Sequence, residues 1–314
     1  MFTQSQIDEN KYTTDWQYEV FRPAFTTDHS VHIAGGTSKV SSGVGLSYYK
    51  QDGIIQQSGY DKFSINADVK YNISKVFSVN AGVIYTTALQ KQMDSQGGGR
   101  GSSVINSMLL ASPLATPHYD DGTWNDFQLQ PLACTNPVAY LNEVRRTWHT
   151  HRLLANAGLT IRPFDGFSIQ STAAIRDNIS RTDYFKSLDY PSSLGAASIN
   201  FGNVLDITSN NIVSYDKFFA KKHHINAMVG VTYETYVSKP VATGTAENFL
   251  SDVAESYDLD AAKVKGLPSS SFSDWRLLSF LGRVNYNYDD RYLVTVNFRA
   301  DGSSRYSKGN KWGF

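Results

Sequence analysis

Cysteine is almost missing from this chain: Cys134 stands alone among 314 residues. An internal disulfide framework and a multi-cysteine metal site are therefore excluded. No run of about 18 or more apolar residues occurs, so a membrane-spanning helix is excluded as well. Neither sign of charge is in excess, with 29 Lys and Arg against 29 Asp and Glu, and nothing calls for a nucleic-acid partner. Met1 to Glu9 lack the basic and apolar regions of a secretory signal. That start fits a cytoplasmic protein, and equally a chain whose true beginning lies elsewhere. The length accommodates one large β domain or two ordinary domains. Aromatics, by contrast, are plentiful: 19 Tyr and 17 Phe.

The aromatic and aliphatic residues fall on every second position. Phe63, Ile65, Ala67, Val69, Tyr71 and Ile73 alternate with Ser64, Asn66, Asp68, Lys70 and Asn72. After Ser74-Lys75 the alternation resumes with Phe77, Val79, Ala81, Val83 and Tyr85. A period of two over such lengths predicts long antiparallel strands, each with one apolar and one polar face. The same pattern recurs at Val40–Tyr48, Leu153–Ile161, Phe167–Ile175, Ile225–Tyr233, Phe280–Tyr288 and Tyr292–Phe298. A short strand at Ser30–Gly35 and a weak one at Asn211–Phe219 bring the count to about ten. The long runs approach the roughly 9–11 residues that a tilted strand needs to cross a bilayer.

The connections alternate between short and long. Short ones sit at Gly36-Thr37, Ser74-Lys75, Pro163 to Gly166, Lys221-Lys222 and Asp289-Asp290. Long ones cover about 51–60, 90–147, 177–210 and 238–272, with a last one from Asp301. Greek-key crossings give no reason to put every long loop at one end of a sheet. A transmembrane barrel does, with short periplasmic turns and long extracellular loops. The expected fold is all-β: about ten antiparallel strands forming part of a large transmembrane barrel. Tyr48, Phe63, Tyr71, Phe77, Tyr85, Phe167, Tyr233, Tyr286, Tyr288, Tyr292 and Phe298 sit near strand ends, as interfacial girdles require. On the polar faces lie Asp68, Lys70, Arg176, Glu234, Arg283 and Arg299. In a barrel these line a wet lumen; in a soluble sandwich they face solvent.

No motif demands catalysis, a cofactor or a metal. His149 and His151 share a strand face and His223-His224 follow Lys221-Lys222, with no third ligand placed nearby. Gly97 to Ser103 is glycine-rich but is not followed by Gly-Lys-Ser/Thr; it reads as a loop tip feeding a short helix from Ser103 to Leu110. Asp120-Asp121-Gly122 reads as turn chemistry, since the spacing is not that of a calcium-binding loop. In the same long loop Tyr119, Asp120, Asp121, Trp124 and Phe127 are the substrate-binding candidates, the aromatic members by stacking on a sugar ring. From Thr245 to Lys263, Ala246, Phe249, Leu250, Val253, Tyr257 and Ala261 recur at helical spacing, which predicts a helix. Two other classes share the pattern: a soluble carbohydrate-binding β protein, and an outer-membrane hydrolase with catalytic residues on its loops.

Several stretches resemble the SusC/RagA-like TonB-dependent outer-membrane transporters. They are Thr14-Asp15-Trp16-Gln17, Gly35-Gly36-Thr37-Ser38, Tyr48 to Ile55, Ser112-Pro113-Leu114-Ala115-Thr116-Pro117 and Asn136-Pro137-Val138-Ala139. Most specific is Trp275 to Tyr286, continuing through Asp290-Arg291-Tyr292-Leu293 to Arg299-Ala300-Asp301-Gly302-Ser303-Ser304-Arg305-Tyr306. The resemblance implies an importer of oligosaccharides or peptides in the outer membrane. Implied partners are a SusD-like lipoprotein, the TonB-ExbB-ExbD complex (through an N-terminal part not seen in this sequence) and membrane lipid. It also implies a lead-in at 1–26 and a partial barrel over 27–314, without plug or C-terminal strands.

Overall fold

The computed structural model describes Asp8 and residues 13–93, 103–127 and 134–314. Within them, ten long strands and four two-residue strands form one antiparallel sheet. The long strands are β1 (Thr26–Gly36), β2 (Val40–Asp52), β3 (Gly59–Asn72), β4 (Phe77–Lys91), β5 (Val144–Ile161), β6 (Phe167–Lys186), β7 (Ala196–Phe219), β8 (His223–Ser238), β12 (Ser273–Tyr288) and β13 (Tyr292–Ser303). The short ones are β9 (Val241–Ala242), β10 (Ala246–Glu247), β11 (Ser269–Ser270) and β14 (Trp312–Gly313). Each long strand pairs with the next long strand in the chain, a meander without crossovers.

Register sorts the side chains onto two faces, because residues directly opposite share a face and alternate along each strand. Phe63 lies opposite Tyr48 and Ile65 opposite Tyr85. Val83 lies opposite Ala155, and Phe280 opposite Val231 and Ala300. These apolar positions form a band about nine residues tall, as from Phe63 to Tyr71 or Phe77 to Tyr85, broken on β6 and β7 by Ser171, Ser209 and Asn211, which hydrogen-bond to one another. Nine residues make about 30 Å of strand, close to an apolar band of about 25 Å once the strands tilt. Tyr71, Phe77, Phe167, Tyr288 and Tyr292 mark its short-turn edge; Tyr48, Phe63, Tyr85 and Tyr233 mark the other. Phe298, opposite Gly282, falls inside the band instead of at its end.

The band is exposed. Leu46, Ile65, Val229, Val284 and Val296 all stand more than a third open. The buried apolar side chains gather elsewhere, at the long-loop end. There the helices α1 (Trp16–Val20), α2 (Val104–Leu110) and α3 (Pro137–Glu143) pack Trp16, Val20, Val104, Met108 and Leu141 with Ile55 and Phe127. Each helix is capped by its own sequence. Asp15 accepts from the Gln17 and Tyr18 amides, Ser103 from Asn106, and Asn136 from Val138 and Ala139, with Pro137 in the first turn. A second cluster unites Phe185, Ala197, Ala246, Phe249 and Ala262. No described helix is long and apolar enough to span a membrane. Among the described residues no protein core lies beneath the apolar face of the sheet, and lipid is the cover such a face requires.

Two expectations change. The stretch 177–210 is mostly strand, because β6 and β7 run on past the band to Lys186 and from Ala196, leaving only 187–195 between them. Above the band polar and apolar side chains mix on both faces (Phe201 stands exposed beside Asn200 and Gly202), so the ladder persists where the hydrophobic alternation fades. Residues 245–263 form no α-helix; they hold β10 and 3-10 turns at Glu255–Tyr257 and Leu259–Ala261. Asn248 and Glu255 adopt positive φ, and Asp252 accepts from the Leu188 amide instead of continuing a helix. Leu250, Val253 and Tyr257, three of the apolar residues whose spacing predicted the helix, are exposed. In the lead-in, Trp16 donates its indole N–H to Ser112 O (2.8 Å), tying that segment to the long loop after β4. The glycines at 97–101 and the stretch from Met1 to Ile7 lie outside the described residues, while Ser103–Leu110 is the expected short helix.

Candidate functional site

Opposite the apolar band lies a polar face. Following the register from β3 to β13 places Asp68, Lys70, Arg176, Glu234, Arg283 and Arg299 all on it. Its groups satisfy one another. Ser64 and Thr86 hydroxyls lie 3.1 Å apart. Asn285 donates to Asn226 (3.2 Å) and accepts from the Thr295 hydroxyl (2.9 Å). Arg283 donates to Asn297 Oδ1 at 2.8 Å, and Arg299 Nε donates to both oxygens of Asp301 (3.0 and 2.8 Å). Ile84 and Leu154 interrupt the polar surface, lying on the same row as Asn66 and Arg176.

One row crosses four strands near the loop end. Arg176 on β6 donates to Asp206 on β7 at 2.6 Å, and the Asp206 side chain is only 7% exposed. Tyr236 on β8 lies directly opposite Asp206, and Trp275 on β12 opposite Tyr236. The Tyr236 and Trp275 rings stack with centroids 5.5 Å apart. The Arg305 guanidinium sits 4.9 Å from the Trp275 ring centroid. Beside this row opens a cavity of about 600 Å³ lined by Trp275, Arg299, Asp301, Arg305, Tyr306 and Lys311 among others. Arg176 and Arg299 were legible as polar-face cations in the sequence. Asp206, Tyr236 and Trp275 were not, because the upper ends of β7, β8 and β12 lie beyond the alternating band, and Arg305 was not, because it lies past the end of β13.

The loop candidates separate. Gly122 takes a positive φ, Tyr119 N–H donates to Thr123 O, and the segment closes as a tight turn. Asp121 accepts from both the amide (2.9 Å) and hydroxyl (2.6 Å) of Thr123, which holds its carboxyl below the usual range. Asp120 is exposed on the same turn. Tyr119 donates to Asp126 at 2.7 Å, and that bond raises its phenol above the ordinary value. Trp124 stacks on His118 at 4.0 Å and donates to Glu143 Oε1 at 3.1 Å. Phe127 is a correction: it is 5% exposed and packs edge-on to Trp16, so it belongs to the loop core and offers no stacking surface. His151 meets the Tyr85 hydroxyl at 2.8 Å, and His224 meets Asp216 at 2.9 Å. Among the described residues no three ligating side chains converge on a metal position.

No protein-family model matches the chain. It is 28% identical over 309 residues to the TonB-dependent receptor P3 of Formosa agariphila, covering 96% of this chain and 30% of that protein. The TonB-dependent receptor SusC of Bacteroides thetaiotaomicron is 24% identical over 96% of this chain and 31% of its own length. Among solved structures, the RagAB peptide importer in its open-open state superposes with a TM-score of 0.84 at 20% identity, over 99% of this chain and 36% of that one. The chain resembles the SusC/RagA-type TonB-dependent receptors. Its sheet is a stretch of an outer-membrane barrel wall, with the long connections gathered at one rim. A ferripyoverdine receptor of Pseudomonas aeruginosa shares the fold more distantly, at a TM-score of 0.54 and 10% identity. The chain spans about a third of the length of the SusC/RagA-type relatives it matches.

Proposed function

We propose that this chain forms wall and outer loops of a TonB-energised outer-membrane importer of oligosaccharides or peptides. The observation that carries this reading is the division of one sheet into two faces. An exposed apolar band about nine residues tall suits lipid, and the opposite face presents hydrogen-bonded amides and ion pairs suited to a wet lumen. In this reading Asp68, Lys70, Arg176, Glu234, Arg283 and Arg299 line the passage. Tyr119, Asp120, Asp121 and Trp124 stand at its mouth, where an arriving ligand is met first. The domain reading is that residues up to 26 lead into the wall and that 27–314 belong to it. A SusD-like lipoprotein docks over the loop end, as the SusC and RagAB likeness suggests, and the TonB-ExbB-ExbD complex supplies energy from the periplasmic side. The role is transport and not turnover. A soluble carbohydrate-binding protein would have to leave the whole band in water, at a cost of about 25 cal/mol per Å² of apolar surface.

The test is uptake in the native organism. Deleting the gene abolishes accumulation of a labelled oligosaccharide or oligopeptide class, and complementation with the full-length gene restores it. A protonophore stops uptake in the wild type. A SusD-like lipoprotein co-purifies with the tagged full-length protein in mild detergent. Accumulation of all such oligomers unchanged by deletion would overturn the proposal.

A further inference from the structure

Two kinds of arginine line the cavity beside Trp275. Arg299 faces Asp301, and its charge is matched there. Arg305 is held differently: its guanidinium lies over an indole ring, and among the described residues no carboxylate lies within ion-pair distance of it. Lys311, on the same cavity, has none either. An aromatic ring fixes a cation's position through its quadrupole without neutralising it. The five donors of the guanidinium remain available to a planar anionic group.

The position is built rather than incidental. Trp275 is itself fixed by its stack on Tyr236. The backbone bearing Arg305 is pinned to β12 and to the chain beyond it. Ser304 N–H donates to Arg276 O (2.9 Å), Arg276 N–H to Ser304 Oγ (2.9 Å), and Ser303 N–H to Lys311 O (2.8 Å). Tyr306, 63% exposed, adds a flat ring with a polar edge. The cavity, at about 600 Å³, falls within the size range of small-ligand sites. Three cations against one carboxylate, with aromatic rings alongside, match a flat ring that carries negative charge.

We infer that this cavity is a recognition subsite for an oligosaccharide bearing carboxylate or sulfate groups, with Arg305 and Lys311 as its anion contacts. The inference rests on the importer reading and names its substrate class. The ring stacks on the exposed Tyr306 face, and the anionic substituent meets the Arg305 fork. Among the described residues no carboxylate cancels the charges of Arg305 and Lys311, so the preference is electrostatic and weakens with salt.

The test is calorimetric titration of the full-length protein in detergent with four probes: trigalacturonate, a sulfated carrageenan tetrasaccharide, maltotriose and triglutamate. At least one acidic sugar binds about tenfold or more tightly than maltotriose, and the difference shrinks with added salt. Arg305→Gln removes the preference, whereas Arg305→Lys retains part of it by keeping charge without the planar fork. The heat-modifiable band of each variant in outer-membrane fractions reports folding separately. Equal binding of maltotriose, or a preference untouched by Arg305→Gln, overturns the inference. Triglutamate binding as tightly as the acidic sugars overturns the sugar assignment. Cellular uptake separates the two levels: import of maltotriose without preference for acidic sugars sinks the subsite alone. Failure to import any oligosaccharide or peptide sinks the importer reading with it.

Discussion

At the scale of single residues, the polar face is governed by how each charge is accompanied. Asp206 is nearly buried while Arg176 is more than half exposed, so the pair is asymmetric. Removing Arg176 leaves a desolvated carboxylate without its partner. Arg176→Gln is therefore expected to destabilise the wall by about 1–3 kcal/mol, measured by urea-dependent unfolding of the full-length protein in liposomes. The double variant with Asp206→Asn recovers much of that loss, because both charges leave together. Cys134 gives a second reading of local environment. Burial pushes its thiol above the ordinary 9.0, which favours the protonated form, and the thiolate is the nucleophile. Alkylation by iodoacetamide should be slower than that of glutathione at pH 8, and its rate should climb with a midpoint above pH 9.0. Unfolding in urea abolishes the difference.

At the scale of elements, the strands carry two separable signals, a band and a ladder. Val229 lies mid-band on β8 and is 61% exposed, whereas Tyr233 marks its edge. Val229→Arg should cost about 2–4 kcal/mol and Tyr233→Arg only about 0–1, read by the same unfolding assay. Comparable losses at both depths would mean the band does not face lipid. The short turns carry strain of their own. Ala220 and Lys221 both take positive φ, as do Asp289 and Asp290, the requirement of hairpin turns whose twist matches the strands. Lys221→Gly and Asp290→Gly should each stabilise by about 0.5–1 kcal/mol, since a left-handed non-glycine residue costs more than glycine's extra chain entropy. The bands and these turns were legible because one face must be apolar and the other polar. Above the band nothing enforces alternation, and so β6 and β7 were read too short. The loop from Thr245 to Lys263 misled for a related reason. Phe249 and Ala246 are apolar because they cover Phe185 and Ala197, and that packing needs no helical period. The paired side chains of Arg176, Asp206, Tyr236 and Trp275 come from strands far apart in sequence, where only register brings them to one row.

At the scale of the whole chain, the apolar surface of the described residues is distributed in an order opposite to that of a globular protein: open across the sheet and buried in clusters at one rim. The rim clusters hold the loops as a shaped mouth, and the lead-in joins them through Trp16 and Thr14, whose hydroxyl donates to Ala115 O at 2.7 Å. Trp16→Ala should loosen that mouth without dismantling the wall. Limited proteolysis on intact cells would then cut between 103 and 127 faster, while the band of folded protein persists; unchanged cleavage would show that the cluster is dispensable. The inner side of the wall has a texture as well as a charge. Asn66 and Asn80 lie flat across the strands beside them, over Gly45 and Gly158. A methyl at either glycine would come within 2.4 or 2.5 Å of the amide oxygen above it. Each asparagine thus fills the dip left by a missing side chain instead of standing up as a knob. In the importer proposed above, a surface levelled in this way would give a passing solute little to catch on. Along this part of the wall the resistance to movement would come from making and breaking hydrogen bonds with amides, in small steps of similar size, and not from climbing over side chains.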